Sequence, residues 1–291
     1  MKKRLGIIGG SGLYNLNDHT ESKYIDMSTP WGKPSEQIMK IEQEDNQIFF
    51  LARHGKNHTI QPSSINYRAN IDALKQLDVT DVVSFSAVGS LSDNIKPGMF
   101  ILPDQFIDKT YKRNNTFFDD DIVCHVSMAK PTSGSLIETC IKALEKLNVR
   151  YISSGTYLAI EGPQFSTHAE SKNYRSSGAD VIGMTNMPEA KLAREAEMRY
   201  ATIGMVTDYD CFKREYMDVD INQIVLTLKN NIDVAKKIID ILIRTYEQNT
   251  IHHDPIQNCL DSAIVSDISK ASTKTMKKLD NIMRRYKNDN R

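Results

Sequence analysis

The chain predicts an α/β fold on a mostly parallel central sheet. Three observations carry that expectation. Short apolar runs end abruptly on glycine or small polar residues, as buried strands do. Amphipathic helical patterns fall between them. The 291 residues are ample for a core that folds without staples, and neither an internal repeat nor a low-complexity linker interrupts them.

Leu5 to Ile8 reads as the first strand, closed by Gly9-Gly10-Ser11-Gly12. Gln47 to Ala52 is a second, followed by Arg53-His54-Gly55. Ile65, Ala69, Ala73 and Leu77 give Ser63–Leu77 a helical period. Val79–Ala87 is a strand running into Val88-Gly89-Ser90. Met99–Leu102 follows the turn signature Lys96-Pro97-Gly98. Ser135–Leu147 is an amphipathic helix with Leu136, Cys140, Ala143, Leu144 and Leu147 near one face. Tyr151–Ile160 reads as one strand before Glu161-Gly162-Pro163, and Ser171–Ser177 as a short helix. Val181–Thr185 is a strand, Glu189–Met198 a helix of good formers, Tyr200–Thr207 the last clear strand and Asn222–Tyr246 a long helix. Past a polar stretch at Thr250–Asn258, Met276, Leu279, Met283 and Tyr286 place a narrow apolar stripe on a helix over Ser272–Lys287. The expected organisation is one domain over 1–250 and a helical extension, 251–291, packed on its own or a neighbouring subunit.

Composition narrows the function. Lys plus Arg and Asp plus Glu are 37 each, so the net charge is zero and nothing in it favours nucleic acid. Cys124, Cys140, Cys211 and Cys259 are scattered without a Cys-x-x-Cys pair, which fits reduced thiols. The apolar run after Met1-Lys2-Lys3-Arg4 breaks at Gly9, too early for a signal peptide core, and no run is long enough to cross a bilayer. A cytoplasmic small-molecule enzyme is expected, with no membrane or nucleic-acid partner.

Chemistry-bearing residues gather at strand ends, where ligands bind in open α/β sheets. Glycine amides around Ser11 can turn inward on an anion. The turn is neither a dinucleotide fingerprint, since Asn15 replaces the third glycine, nor a P-loop. Arg53 offers a flat fork of donors that suits phosphate, and His54 can add another. The small residues Ser86 and Ala87 admit a ligand to the backbone, or simply pack closely. Phe165 can stack on a planar base or belong to the core; Met184 can lie against a sugar and Thr185 can bond phosphate. Asp208 and Asp210 flank a tyrosine at the end of an apolar strand. A carboxyl in an apolar site holds its proton and can give it to a ring nitrogen, while a second carboxylate accepts from an exocyclic amine. The rival reading is a pair of turn or cap aspartates. His54 and His58 have the spacing of a helical zinc pair, but they follow a strand with no Glu after His54, so no metal is expected.

Gly6–Leu13, Ala52–Gly55, Ile65–Asn70, Asp104–Asp108, Ile160–Ser166 and Met205–Asp210, taken as an ordered set, resemble the trimeric purine nucleoside phosphorylase family. The similarity runs from about Leu5 to about Tyr246 and fades after Thr250. It implies a twisted, mixed sheet surrounded by helices, assembled as a homotrimer or dimer of trimers. It implies a phosphate site of Ser11, Arg53, His54, Ser86, the Ala87 amide and Thr185, with Ser11 and Ser86 keeping the hydroxyl where relatives carry threonine. Met184 becomes the ribose contact, and Phe165, Ser166, Asp208 and Asp210 the base pocket. The resemblance sets Thr207-Asp208 where relatives that cleave 6-oxopurines carry Thr-Asn, and the aspartates of this chain favour a 6-aminopurine. Ile221, Ile224 and Val225 resemble an apolar wall for a 5′-methylthio group, and His125 a residue reaching that pocket from the adjacent subunit. The implied reaction is phosphorolysis of 5′-methylthioadenosine, in purine and methionine salvage, with orthophosphate as co-substrate and no cofactor. Alternatives are a broader phosphorylase acting on adenosine or inosine, a nucleosidase using water, and a non-catalytic nucleotide-binding module.

Overall fold

The computed structural model describes residues 3–14, 16, 22–43, 46–212, 221–246 and 255–289. Its strands are β1 (Lys3–Gly9), β2 (Ser22–Ile25), β3 (Ile38–Gln43), β4 (Asn46–Ala52), β5 (Asp81–Ser90), β6 (Phe100–Ile101), β7 (Gln105–Asp108), β8 (Tyr151–Ile152), β9 (Thr156–Ala159), β10 (Val181–Gly183) and β11 (Arg199–Tyr209). Its α-helices are α1 (Tyr67–Gln76), α2 (Gly134–Lys146), α3 (His168–Ser176), α4 (Asn186–Glu195), α5 (Ile221–Thr245), α6 (Thr273–Lys278) and α7 (Arg284–Asp289).

The strands form one sheet in the order β2-β3-β4-β1-β5-β10-β9-β7, with β11 also pairing β5 and carrying β6 and β8. It is mixed rather than mostly parallel. β1 pairs β4 and β5 in parallel and β11 runs parallel to β5, but β2–β3, β3–β4, β5–β10 and β6–β11 are antiparallel.

Alternation along the central strands sets the layers. On β1 and β4, Leu5, Ile7, Ile48 and Phe50 enter one cluster with α2 and α5, whereas Ile8, Phe49 and Leu51 enter another with α1 and α4. The buried face of α2 carries Leu136, Ile137, Cys140, Ala143 and Leu144. Burying each large aliphatic side chain stabilises the packing by about 1.5–3 kcal/mol, and Leu144→Ala would cost about 2–5 kcal/mol. Asn66 caps α1 by accepting from the Ala69 amide at 3.1 Å. Thr167 and Glu170 form a capping box on α3, which starts earlier than the sequence pattern places it.

Three expected elements divide. Tyr151–Ile160 is two strands, because β8 pairs β6 whereas β9 crosses to β7 and β10; Gly155, at φ +150°, lies in the break. Ser63–Leu77 is a 3-10 turn over Pro62–Ser64 followed by α1. Ser272–Lys287 is α6 and α7, and Leu279, Ile282 and Met283 between and beside them enter the α1/α4 cluster.

The extension packs on its own chain. Cys124 and Ile264 form a β-bridge, with the His125 amide donating to Ala263 O at 2.8 Å and the Val265 amide to Val123 O at 3.1 Å. Lys278 pairs with Asp119 at 2.8 Å, and Arg285 with Glu197 and Asp261 at 2.6 Å each. The four cysteines are unpaired thiols. No helix among the described residues is long and apolar enough to cross a membrane.

Candidate active site

A cavity of about 320 Å³ opens where β1, β4, β9 and β10 end and β5 and β11 pass. Ser11, Arg53, His54, Ser86, Ala87, Phe165, Ser166, Met184, Thr185, Asp208 and Asp210 all line it, as does Ile224 from α5. These residues span two hundred positions of sequence and converge only because their strands are neighbours.

At one end the first turn and the β4 end are tied together by the Arg53 amide, which donates to Gly9 O at 3.0 Å. A Cβ on Gly10 would stand 2.5 Å from Phe85 O and 3.2 Å from Arg53 Nη1, so only glycine lets the turn approach the guanidinium this closely. Arg53 is fully buried. Its Nε donates to Glu189 Oε2 at 2.7 Å and Nη2 to Glu189 Oε1 at 3.0 Å; Nη2 also bonds Ser84 Oγ, and Nη1 donates to Phe85 O at 3.1 Å. The fork expected to face an anion is thus turned to Glu189, leaving one Nη1 hydrogen. Burial opposes the charge, but the Glu189 carboxylate outweighs it and holds Arg53 above the ordinary arginine range.

His54 differs from its expected role. Its Nδ1 lies 2.8 Å from the Ile60 carbonyl oxygen, which only a donor can satisfy. Burial, reinforced by Arg53, lowers its pKa to about 4. The ring is neutral near pH 7, and Nε2 is an acceptor rather than a further donor. His58 stacks on it at 4.3 Å and Tyr14 Oη lies 3.0 Å from His58 Nδ1. His58 also lines the cavity, a part that sequence reasoning weighed only as a zinc ligand. No cluster of three His, Cys, Asp or Glu that could hold a metal lies among the described residues.

At the other end, β11 carries an irregularity. Val206 pairs with Val88 and Asp208 with Gly89, so Thr207 is an extra residue in the ladder, and such bulges re-aim side chains. Thr207 Oγ1 donates to Asp208 Oδ1 at 2.5 Å. Burial raises the Asp208 pKa to about 6, the Thr207 hydroxyl opposing and Asp210 adding to the rise. Asp210 is buried, and its pKa is raised for the same first reason, with the Ser171 and Ser166 hydroxyls opposing. Asp210 Oδ2 is itself buried and has no hydrogen-bond partner within 3.5 Å.

Between the ends, Met184 and Thr185 are held from behind. Arg113 Nη1 donates to Met184 O at 2.5 Å, Met187 O at 2.7 Å and Tyr67 Oη at 3.1 Å; Nη2 donates to Glu161 O at 2.7 Å, and Nε to Glu161 Oε1 at 3.0 Å. Neither Arg113 nor Glu189 was singled out by sequence reasoning; buried charges paired across the chain leave no local pattern. Phe165 is 65% exposed and stands at the mouth, so it is not a core aromatic.

The expected 5′ wall is only partly assembled. Ile224 and Leu228 face the cavity, whereas Val225 is 59% exposed and does not line it. On α5 these positions are one residue apart, and a helix turns them about 100° from each other. The Ile221 side chain lies outside the described residues. His125 does not line this cavity; it sits at the Cys124–Ile264 bridge.

Comparison with known proteins places the fold among phosphorylases. The model of the phosphorylase superfamily matches residues 4–244. The chain is 44% identical over 281 residues to an S-methyl-5′-thioadenosine phosphorylase of Cereibacter sphaeroides, covering 96% of this chain and 97% of that one. It is 49% identical over 244 residues to that of Saccharolobus solfataricus, covering 84% and 90%. Its structure resembles that of a methylthioadenosine phosphorylase from an Antarctic soil metagenome with a TM-score of 0.88 at 41% identity, covering 97% of this chain and 99% of that one.

Proposed function

This chain belongs to the phosphorylase superfamily, and from that premise we propose that it cleaves 5′-methylthioadenosine with orthophosphate, releasing adenine and 5-methylthioribose 1-phosphate. The observation that carries the reading is one cavity with an anion end and an acid end, in a chain 41% to 49% identical to proteins of that activity.

Orthophosphate sits against Ser11, Ser86, the Ala87 amide, Thr185 and the Nη1 hydrogen of Arg53, with His54 Nε2 accepting from a phosphate hydroxyl. The ribose lies on Met184 and the adenine beside Phe165 and Ser166. As the C1′–N9 bond lengthens, positive charge grows on the sugar, and the phosphate below stabilises it and then bonds C1′. Asp208 gives its proton to N7, so the base departs neutral, and Asp210 accepts from the exocyclic amine. Proton transfer of this kind contributes about 10² to 10⁴ in rate, and holding two substrates in contact contributes more. The proton Asp208 gives up is matched by the one the phosphate loses on becoming the sugar phosphate, so atoms and charge balance without a cofactor.

The raised Asp208 pKa and the place of both carboxyls in the cavity wall support these roles. The family match supports taking residues 1–250 as the catalytic body and 251–291 as an extension. We assign the protein to the cytoplasm and to trimers or pairs of trimers, in which His125 and Ile221, Ile224 and Val225 of adjacent subunits close on the 5′ group. The test is incubation of purified protein with 5′-methylthioadenosine, with and without phosphate, following free adenine and sugar phosphate. Adenine release that needs phosphate is expected. Release without it means hydrolysis, and equal or better cleavage of inosine overturns the base assignment.

A further inference from the structure

We propose that Tyr157 is a positioning residue for the phosphate end of the cavity, its buried hydroxyl orienting Ser86 and Thr185 toward the incoming anion. This rests on the reading above for the identity of that anion, but the contacts stand by themselves. Tyr157, on β9, is completely buried, and its ring packs against Phe106 at 5.7 Å. Its Oη lies 3.2 Å from Ser86 Oγ and accepts from the Thr185 amide at 3.4 Å. Ser86 Oγ lies in turn 3.5 Å from Thr185 Oγ1.

Proton counting gives the chain a direction. Tyr157 Oη accepts from Thr185 N–H, and Ser86 Oγ is the acceptor within reach of its own hydrogen, so that hydrogen is placed on the bond to Ser86. Ser86 then holds an accepted bond on its cavity-distal side, and its own hydrogen is free to turn from the 3.3 Å contact with Ala87 O to an oxyanion. The Thr185 amide, fixed on the same oxygen, sets the backbone that presents Thr185 Oγ1. One phenol hydroxyl thus holds two of the groups that line the anion end, from a layer the anion never touches.

Gly183 makes the room. A Cβ there would stand 2.0 Å from Tyr157 Oη and 2.6 Å from Cζ, so any side chain forces the Tyr157 ring to move. The absence of a side chain at 183 and the presence of a hydroxyl at 157 are therefore one arrangement. Two substitutions perturb it differently: Tyr157→Phe deletes the oxygen and keeps the ring, and Gly183→Ala keeps the oxygen and displaces it.

Both variants are to be compared with wild type in two assays. The first is the rise in unfolding temperature produced by inorganic phosphate alone, which needs no turnover. The second is steady-state kinetics with 5′-methylthioadenosine, varying each substrate in turn. Loss of one net hydrogen bond predicts a phosphate KM raised roughly three- to tenfold, with the nucleoside KM within about twofold of wild type and a smaller phosphate-induced shift. An unchanged phosphate KM and unchanged shift in both variants overturn the proposal; so does an equal rise in both KM values, which a general loosening of the core would give. If Tyr157→Phe fails to fold, Gly183→Ala decides alone. If wild type releases no adenine, the reaction assigned above fails, while the unfolding assay still decides Tyr157.

Discussion

Glu189 grips Arg53 through both carboxylate oxygens, at 2.7 and 3.0 Å, and both side chains are sealed from solvent. The same carboxylate accepts from Tyr200 Oη at 2.8 Å. The arginine is therefore a fixed positive charge in the cavity wall, held by a residue outside it. Glu189→Gln leaves that buried charge without its counter-ion. Breaking a buried pair by one partner costs about 3–5 kcal/mol, so the urea midpoint of unfolding is expected to fall accordingly.

Asp208→Asn keeps a hydrogen-bond donor above the base but removes the transferable proton. Turnover of 5′-methylthioadenosine is expected to drop by about 10² to 10⁴. The pH profile gives a second signature. A carboxyl with a pKa of about 6 is protonated below that pH, so at saturating phosphate kcat/KM of wild type for the nucleoside declines as pH rises through about 6. The asparagine variant is expected to lose that limb.

Glu195 produces a stability change of the opposite origin from an ordinary ion pair. It is buried, accepting from the Phe117 amide and Thr116 Oγ1 at 2.7 Å each. Burial raises its pKa from 4.5 to about 7, those two donors opposing. Between these values the folded chain binds a proton that the unfolded chain has lost. Stability from this group is full below about 4.5 and falls as pH rises to about 7, by roughly 3 kcal/mol in all. Glu195→Gln is expected to flatten that part of the curve of unfolding free energy against pH.

Arg285 joins the extension to the body through Glu197, whose side chain is 2% exposed, while Arg285 itself is partly solvated. Glu197 Oε1 also accepts from the Leu260 amide at 3.1 Å. Arg285→Ala is expected to lower stability by about 1–3 kcal/mol, read as a lower unfolding temperature, while kcat at 25 °C stays as in wild type.

What the sequence made legible follows from how local each cause is. The β1, β4, β5 and β11 strands were readable because an apolar run stops on a glycine or a polar residue, and the cavity-lining residues Ser11, Arg53, Ser86 and Asp208 sit at or beside those stops. β2 and β3 were not, since Ser22–Ile25 and the end of β3 are half-exposed and carry Lys, Tyr and Glu in place of an apolar run. β7 is four residues of which none is fully buried. The site was legible as a set of residue types but not as a set of directed donors. Nothing near Arg53 in sequence says that Glu189, 136 positions later, claims its fork. Nothing near Ser86 points to Tyr157, 71 positions away. Val225 stands apart from Ile224 within the chain because the rotation of α5 about its axis turns it out of the cavity, which a list of aliphatics does not fix.

The inserted Thr207 has a consequence for how this pocket can change. The aim of the two acids is written in main-chain count, since one residue more than the partner strand needs lies just before them. Exchanging a side chain at 208 or 210 alters which heterocycle is read and leaves the scaffold intact. Deleting a single residue there would instead turn both carboxyls by half a pleat, away from the sugar, without altering the chemistry of either.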